Sequence, residues 1–212
     1  MPTGIYVAHR ENQREWILEV AEDLFINKGI EQVTMGDIAV ETKLARATIY
    51  KYFSTKEQVA GEIFKLTTRA WRDRNEREVW GFRGTGYQRL ERFIESFFGQ
   101  LFDHPREASF VAEFNYLYGK ALEAETFANR MLENLAEDHR FVENCVKEGI
   151  ADKSLNGDVE PALVVAAFFN FLSGMISRLG EMGPKVDKEF GFTSRTIFTQ
   201  IGRYFLEGLR AR

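Results

Sequence analysis

The 212-residue sequence predicts an all-α protein, and three observations support that class. Apolar residues recur at the spacing of helices along almost the whole chain. Only four prolines interrupt this pattern, and the sequence shows no sustained alternation of apolar and polar residues bounded by hairpin turns. We therefore predict about nine helices around a core to which nineteen phenylalanines contribute.

The charge and the cysteine content restrict what the chain binds and where it works. The net charge is −4, so any affinity for nucleic acid must come from a local basic patch. Cys145 is the only cysteine, which excludes an internal disulfide and suits a reducing cytoplasm. The most apolar stretch, 161–180, is interrupted by polar residues, so we predict a buried helix there and no membrane span.

The N-terminal part of the chain predicts short helices in close succession. The first helix runs from Glu11 to Lys28 with one apolar face, and Gly29 provides a stop. That face comprises Trp16, Ile17, Val20, Ala21, Leu24 and Phe25. A second helix begins after Thr34, whose hydroxyl suits an N-cap and whose capping-box partner is Asp37.

The second helix ends in a three-residue turn at 42–44, and a third helix follows from Ala45 to Phe53. Leu44, Ile49 and Phe53 are predicted to face inward. Ser54 and Glu57 have the spacing of a capping box and open a fourth helix that reaches about residue 75.

Five further helices complete the predicted fold, and they end at proline, glycine or turn-rich segments. Their predicted ranges are 87–103, 107–121, 125–148, 160–180 and 193–210. Gly149 is the predicted stop of the third of these, and Gly183 with Pro184 breaks the chain before the last.

Residues 42–56 form the clearest basic patch in this acidic chain. They include Lys43, Arg46, Lys51 and Lys56 and no acidic residue. Charge alone is equally compatible with an ordinary solvated helix face. Two short helices joined by a three-residue turn, however, are typical of a helix-turn-helix, whose second helix enters the major groove of DNA.

In a helix-turn-helix, residues early in the second helix face the base edges, and here these are Arg46, Ala47 and Thr48. An arginine can bind guanine through two hydrogen bonds, and a threonine methyl can pack on thymine. The other candidates would bind phosphates, which position the protein without reading sequence. They are Thr34, Tyr50, Lys51, Tyr52 and Lys56, with Lys43 of the turn in the same DNA-facing set.

From Ile17 to Val59 the chain resembles the tetracycline-repressor (TetR) family of bacterial transcriptional regulators. The matching residues are Ile17-Leu18, Ala21, Leu24-Phe25, Gly29, Val33-Thr34-Met35, Asp37-Ile38-Ala39, Thr48-Ile49-Tyr50-Lys51-Tyr52-Phe53 and Lys56-Glu57. Two positions depart from the family pattern, since the turn glycine is Lys43 here and the serine that caps the recognition helix is Ala45. A lysine is strained if that position requires positive φ, and an alanine forfeits a cap of about 1 kcal/mol.

The resemblance implies a helix-turn-helix DNA-binding domain over residues 1–56 and a helical effector-binding and dimerisation domain over residues 57–212. It also implies a homodimer in which the last two helices, 160–180 and 193–210, pack with their copies as a four-helix bundle. Small residues at helical spacing in the first of these helices permit close helix approach, although the same pattern suits an intramolecular core.

A ligand pocket in the second domain would be lined by aromatic side chains and would take an apolar or aromatic effector held by few polar groups. The candidates are Trp71, Phe97, Phe98, Phe114, Tyr116, Tyr118, Phe168 and Phe171. Plain core packing is the simpler interpretation of each. Glu137, Asp138 and His139 fall on a charged helix face, so we predict neither a metal site nor a cofactor.

These expectations combine into a dimeric, ligand-responsive repressor that binds double-stranded operator DNA in the cytoplasm and is released from it by a small effector. The alternative is a helical small-molecule binding or sensing protein with weak or no DNA binding, which the departures at Lys43 and Ala45 keep open. An enzyme is disfavoured because the sequence offers no recognisable catalytic group.

Overall fold

The computed structural model describes residues 4–118, 125–182 and 185–211, and over these residues the chain is all-α. The described residues form ten α-helices and one π-helical turn, and they contain no strand beyond an isolated bridge between Leu155 and Arg210. The predicted fold class is confirmed. The helices are α1 (Gly4–Lys28), α2 (Met35–Thr42), α3 (Arg46–Tyr52), α4 (Lys56–Asn75), α5 (Gly86–Asp103), α6 (Pro105–Tyr118), α7 (Glu125–Ala151), α8 (Pro161–Met182), α9 (Lys185–Phe190) and α10 (Ser194–Leu209), and the π turn is Glu76–Trp80.

Most helix ends lie within a few residues of the prediction, and three exceptions concern the start of α1, the additional helix α9 and the role of Gly149. α1 begins at Gly4 rather than at Glu11. The short helix α9 was not predicted and adds one to the nine helices expected. The predicted end of the sixth helix at 121 and the predicted break at 183–184 lie outside the described residues.

The third exception is Gly149, which was predicted to end a helix but lies inside α7. It serves close packing instead of termination. A Cβ at Gly149 would lie 2.6 Å from the side chain of Leu155, and a Cβ at Gly86 would lie 2.1 Å from the backbone nitrogen of Gly149. The two glycines therefore let the start of α5 cross α7 with the backbones in contact.

The chain divides into two compact units, residues 1–67 and 68–212. The predicted boundary was 56/57, at the start of α4. The difference arises because the first turns of α4 pack within the first unit. Val59 and Ile63 are buried in its core, and Arg14 of α1 forms an ion pair with Glu62 at 2.6 Å.

In the first unit, α1, α2, α3 and the start of α4 surround a small apolar core. Its fully buried members are Ile17, Ala21, Phe25, Ile30, Val33, Ile38, Ile49, Val59 and Ala60. Trp16 was predicted to belong to the buried face of α1, yet it is 47% exposed. Its indole N–H donates to the carbonyl oxygen of Thr42 at 3.3 Å, so the ring lies at the edge of the core where its polar atom finds an acceptor.

In the second unit the core is built around Phe93 of α5. Its ring centroid lies between 5.6 and 6.4 Å from those of four other rings, which belong to Phe97, Phe141, Phe168 and Phe169. α10 approaches α5 closely because it presents Gly202, where a Cβ would lie 2.6 Å from the ring of Phe98. Helices α5, α7, α8 and α10 thus share one aromatic core.

α8 is buried along one face and exposed along the other. Val164, Phe168 and Leu172 face the core, whereas Leu163 and Phe171 are 66% and 36% exposed. Its segment Pro161–Arg178 is long and apolar enough to cross a membrane by length and composition alone, as core helices of soluble proteins also are, and 28% of it is buried within the chain. The prediction of a buried helix is therefore correct for one face only.

Candidate nucleic-acid interface and ligand site

The start of α2 is fixed by a capping box, as predicted. The backbone N–H of Thr34 donates to Asp37 Oδ2 at 2.8 Å, and the backbone N–H of Asp37 donates to Thr34 Oγ1 at 3.2 Å. The Thr34 hydroxyl lies 2.6 Å from the same carboxylate and donates to it. These bonds, the one from the hydroxyl first, hold the pKa of Asp37 below its usual range. The threonine proposed for phosphate binding is therefore already held in place by its own helix.

The turn between α2 and α3 places a lysine in a conformation that glycine normally occupies. Lys43 has φ 58° and ψ 28°, in the left-handed region. Its backbone N–H donates to Val40 at 3.2 Å, and that of Leu44 donates to Ala39 at 3.1 Å, which satisfies carbonyls at the end of α2. The positive φ considered in the sequence analysis is thus present, and the lysine bears its steric strain.

The recognition helix α3 is short and depends on packing. It has seven residues and its N-cap residue, Ala45, offers no side-chain acceptor. The backbone carbonyl of Ala45 accepts from the N–H of Thr48 at 2.8 Å, which begins the helix. Ile49 and Phe53 are buried, as predicted, and anchor the helix to the first unit, whereas Leu44, also predicted to face inward, is half-buried.

The outer side of α3 and its preceding turn is exposed and basic. Its exposed members are Lys43, Arg46, Ala47, Tyr50 and Lys51, and Thr48 beside them is half-buried. Burial of Ile49 and Phe53 on the opposite side fixes which residues face outward. The structure therefore presents six of the nine predicted DNA-contacting residues on one surface of the first unit.

The polar groups of Tyr52 and Lys56 are bonded within the first unit. The Tyr52 hydroxyl donates to Gln13 Oε1 at 2.9 Å. The Lys56 ammonium donates to the carbonyl oxygens of Ile30 at 2.7 Å and Glu31 at 3.0 Å. Tyr52 thus ties α3 to α1, and Lys56 ties the start of α4 to the connection between α1 and α2, roles that the charge pattern of the sequence did not reveal.

The cap of α4 also lies one residue later than predicted. Thr55 Oγ1 accepts from the backbone N–H of Gln58 at 3.3 Å, and Gln58 Oε1 accepts from the N–H of Ser54 at 2.8 Å. The predicted pair was Ser54 with Glu57. The two bonds resemble a capping box, but the Gln58 side chain accepts from the residue before the cap, Ser54, and not from Thr55 itself.

Arg46, predicted to read bases, lies over the first turn of α2. A Cβ at Gly36 would lie 2.8 Å from Arg46 Nη2, so the guanidinium occupies the space that the missing side chain leaves. The same guanidinium contributes to the lowered pKa of Asp37. The exposed side chain of Arg46 therefore lies along the first turn of α2, close to Thr34.

The eight aromatic residues proposed for a ligand pocket differ in how deeply they are buried. Trp71, Phe98, Phe114 and Phe168 are buried, Phe97 and Tyr118 are half-buried, and Tyr116 and Phe171 are exposed. Trp71 Nε1 donates to Glu107 Oε2 at 2.5 Å, which gives that ring a structural partner. Phe98 belongs to a surface groove of about 260 Å³ between α5 and α10, lined also by Phe102 and Leu206.

The sequence analysis missed a buried polar group on α7. Asp138 was assigned to a charged helix face, but it is 9% exposed and continues the buried stripe of Val142 and Cys145. Burial raises the pKa of its carboxyl to about 6, although Arg72 acts against this rise. Burial also lowers the pKa of His139. The sequence did contain a signal for this burial, because Asp138 lies at helical spacing from Val142 and Cys145. The charged residues beside Asp138 concealed that signal.

Cys145 is a buried core residue of α7. Burial raises the pKa of the Cys145 thiol to about 12, so it remains protonated, as a core cysteine does. Among the described residues no group of three or more His, Cys, Asp or Glu side chains is arranged to hold a metal ion.

The first unit defines a helix-turn-helix protein, and comparisons with known proteins agree. Residues 17–63 match the family model of bacterial regulatory proteins of the tetR family. The HTH-type transcriptional regulator YfiR of Bacillus subtilis is 26% identical over 174 residues, which are 79% of this chain and 80% of that protein.

Solved structures show the same fold over nearly the whole chain. A transcriptional regulator from Saccharomonospora viridis in complex with choline has a TM-score of 0.72 at 19% identity, covering 95% of this chain and 100% of that one. FadR from Bacillus subtilis in complex with stearoyl-CoA has a TM-score of 0.71 at 19% identity, covering 92% and 99%. Residues 17–63 therefore match the DNA-binding helix-turn-helix of the TetR family, and the chain as a whole is similar to transcriptional regulators of that type. Its relatives are named as regulators, so the predicted non-enzymatic role is confirmed.

The strained turn predicts a stabilising substitution. Lys43→Gly should raise the free energy of unfolding by about 1 kcal/mol, because glycine adopts the left-handed conformation without a Cβ clash. Urea unfolding of the full chain measures the change. Glu41→Gly, inside α2, should instead lower the free energy of unfolding by up to about 1 kcal/mol. Equal stability of Lys43→Gly and the parent protein would mean that the lysine makes contacts that offset its strain.

Asp138 predicts a pH-dependent stability. Its pKa is about 6 in the folded chain and 3.8 when unperturbed, so the folded state holds more protons between these values and stability falls as the pH rises through them. Asp138→Asn should therefore raise the free energy of unfolding by roughly 2 kcal/mol at about pH 7.5 and change it little near pH 4.

The parent protein and Asp138→Asn are compared at each pH. Both contain His139, whose lowered pKa reduces stability as the pH falls, so its contribution cancels in the difference. A variant that is less stable than the parent at about pH 7.5 would show that the ionised carboxylate, near Arg72, stabilises the fold.

Proposed function

We propose that this regulator is a dimer that binds operator DNA through α3 and is released by a small apolar or aromatic effector, acting as a cytoplasmic repressor. The observation that carries the proposal is the exposed surface of Lys43, Arg46, Ala47, Tyr50 and Lys51 opposite the buried Ile49. A short helix held by its inner face, with cations and an aromatic hydroxyl on its outer face, suits insertion into the major groove.

The contacts divide into two kinds. Arg46, Ala47 and Thr48 lie in the first turn of α3, the part of a recognition helix that meets base edges. Lys51 and Tyr50 lie further along and suit phosphate contacts, with Thr34 at the start of α2. Lys56 and Tyr52 contribute indirectly, because their polar groups hold the first unit together.

Two substitutions separate these roles. Arg46→Ala should relax the preference among base pairs, whereas Lys51→Ala should weaken binding to all sequences about equally and reduce the slope of log affinity against log salt by about one. Fluorescence anisotropy with a duplex from the upstream region of the gene, and with a shuffled duplex, measures both effects.

A purely structural alternative is tested by the same data. If Arg46 remains over Gly36 in the complex, Arg46→Ala will resemble Lys51→Ala, and the assignment of Arg46 to base reading is wrong. If the folded protein binds neither duplex at low salt yet binds small molecules, the alternative of a ligand-binding protein without a DNA function is correct.

A second copy of the chain is the proposed cover for the exposed face of α8. Leu163 and Phe171 lie there beside the exposed small residues Ala162, Ala166 and Gly174, which permit close approach of another helix. On α10, Tyr204 is 68% exposed. A twofold dimer through α8 and α10 would also supply two recognition helices, as half-sites about 34–36 Å apart require.

The dimer is tested by one charge placed on this face. Leu163→Glu should convert the dimer into a monomer in sedimentation velocity, because two carboxylates would meet in an apolar contact. Leu66→Glu, at an exposed leucine of α4 in the first unit, should leave the dimer intact. A parent protein that sediments as a monomer at micromolar concentration would contradict the proposal.

The effector is proposed to bind in the second unit. Solved neighbours hold choline and stearoyl-CoA, two ligands that differ in size and charge, so the fold accommodates more than one ligand class. An effector that binds the DNA-incompetent arrangement more tightly would shift the population toward it and lower operator affinity.

A further inference from the structure

The end of α2 contains a buried carbonyl group that the turn after it does not bond. Lys43 and Leu44 donate their backbone N–H groups to the carbonyls of Val40 and Ala39, the pair of bonds that closes a helix through a left-handed residue. This pair leaves the carbonyl of Thr42, the residue just before the left-handed one, to find a donor elsewhere. Thr42 is 4% exposed, and a buried carbonyl without a donor costs the free energy of its lost hydration.

Trp16 of α1 supplies that donor. Its indole N–H donates to the carbonyl oxygen of Thr42 at 3.3 Å, across 26 positions of the sequence. Burial distinguishes this tryptophan from the residues around it, since Trp16 is 47% exposed while Ile17 and Ala21 of the same helix are fully buried. The indole N–H is a donor that those apolar side chains lack. Trp16 therefore adds to the first unit a hydrogen bond at the end of α2.

The bond falls on the peptide group that enters the strained residue of the turn. Lys43 has φ 58°, a conformation that glycine adopts freely and that costs other residues steric strain. The carbonyl of Thr42 and the N–H of Lys43 belong to one planar peptide group. Its N–H is bonded within α2, to Val40 at 3.2 Å, and its carbonyl is bonded to α1. Bonds on both sides fix the orientation of this peptide and with it the conformation of the turn.

The same turn of α1 also contacts the end of α3. The Tyr52 hydroxyl donates to Gln13 Oε1 at 2.9 Å, and the guanidinium carbon of Arg14 lies 5.3 Å from the centroid of the Phe53 ring. Residues 13–16 thus hold the chain on both sides of the recognition helix. The position of α3 within the first unit therefore depends on side chains of α1 that lie outside the helix-turn-helix.

We propose that Trp16 is a positioning residue for DNA binding: its indole N–H clamps the turn between α2 and α3 and keeps Lys43 in the left-handed conformation from which α3 starts. Trp16 acts through the turn and not through contact with DNA. The inference rests on the proposed DNA-binding function and adds a residue of α1 to those that determine it.

Hydrogen exchange of the free protein, followed by NMR, tests the clamp without DNA. Trp16→Phe keeps an aromatic ring and removes the donor. The backbone amides of Lys43 and Leu44 should then exchange about two- to tenfold faster, the range that corresponds to one net hydrogen bond. Val20→Ala removes apolar contacts of the same helix, and it should leave the exchange of both amides within about twofold of the parent rate. Unchanged exchange in Trp16→Phe overturns the proposal.

DNA affinity tests the positioning role at a temperature where each variant is fully folded, as urea unfolding establishes. Trp16→Phe should weaken binding to the duplex from the upstream region about two- to tenfold, and Val20→Ala should not weaken it. In the Lys43→Gly background Trp16→Phe should weaken binding less than about twofold, because glycine holds the left-handed conformation without a clamp. An equal loss in both backgrounds means that Trp16 contacts DNA itself and overturns the proposal.

Trp16→Leu, which also removes the donor, provides a second variant for the same measurements. Two failures can be told apart. DNA binding by the parent, with the same affinity and the same exchange rates in both Trp16 variants, refutes this inference alone. Absence of DNA binding by the parent, with faster exchange in both variants, refutes the regulatory function and leaves the clamp on the turn standing.

Discussion

Burial of Ile49 and Phe53 is the constraint on which the DNA-facing surface depends. α3 has seven residues, far fewer than an isolated helix needs for stability in water. Its cap lacks a side-chain acceptor and its entry passes through a left-handed lysine, each a loss of about 1 kcal/mol. Full burial of a large apolar side chain contributes about 1.5–3 kcal/mol, and two such side chains outweigh both losses.

The same constraint explains why the local departures from the family pattern leave the surface intact. An inner face fixed by two buried residues determines the rotation of the helix about its axis. Arg46, Ala47 and Tyr50 then face outward whatever residue caps the helix. The sequence could predict this surface because helical spacing and buried apolar residues are local signals.

Features that depend on distant residues could not be predicted in the same way. The acceptors of Lys56 are the carbonyls of Ile30 and Glu31, more than twenty positions earlier. Gly149 has the sequence signature of a helix stop, and only its contact with Leu155 and Gly86 reveals a packing role. Asp138 was concealed by charged neighbours that face solvent. In each case a local pattern permits two structures, and tertiary contacts decide between them.

Lys43 and Asp138 have one feature in common that hydropathy does not indicate. At each position another residue type would give the fold a higher free energy of unfolding. Glycine would relieve the turn at 43, but it would remove a cation from the exposed face beside α3. An apolar residue would complete the buried stripe of α7, but it would remove an ionisable group from the core. Residues that are costly in the free protein and favourable once a charged group arrives are expected at binding sites. Lys43 thus adds positive charge to the surface that suits the polyanionic backbone of DNA, whereas Asp138 makes the stability of the second unit depend on pH.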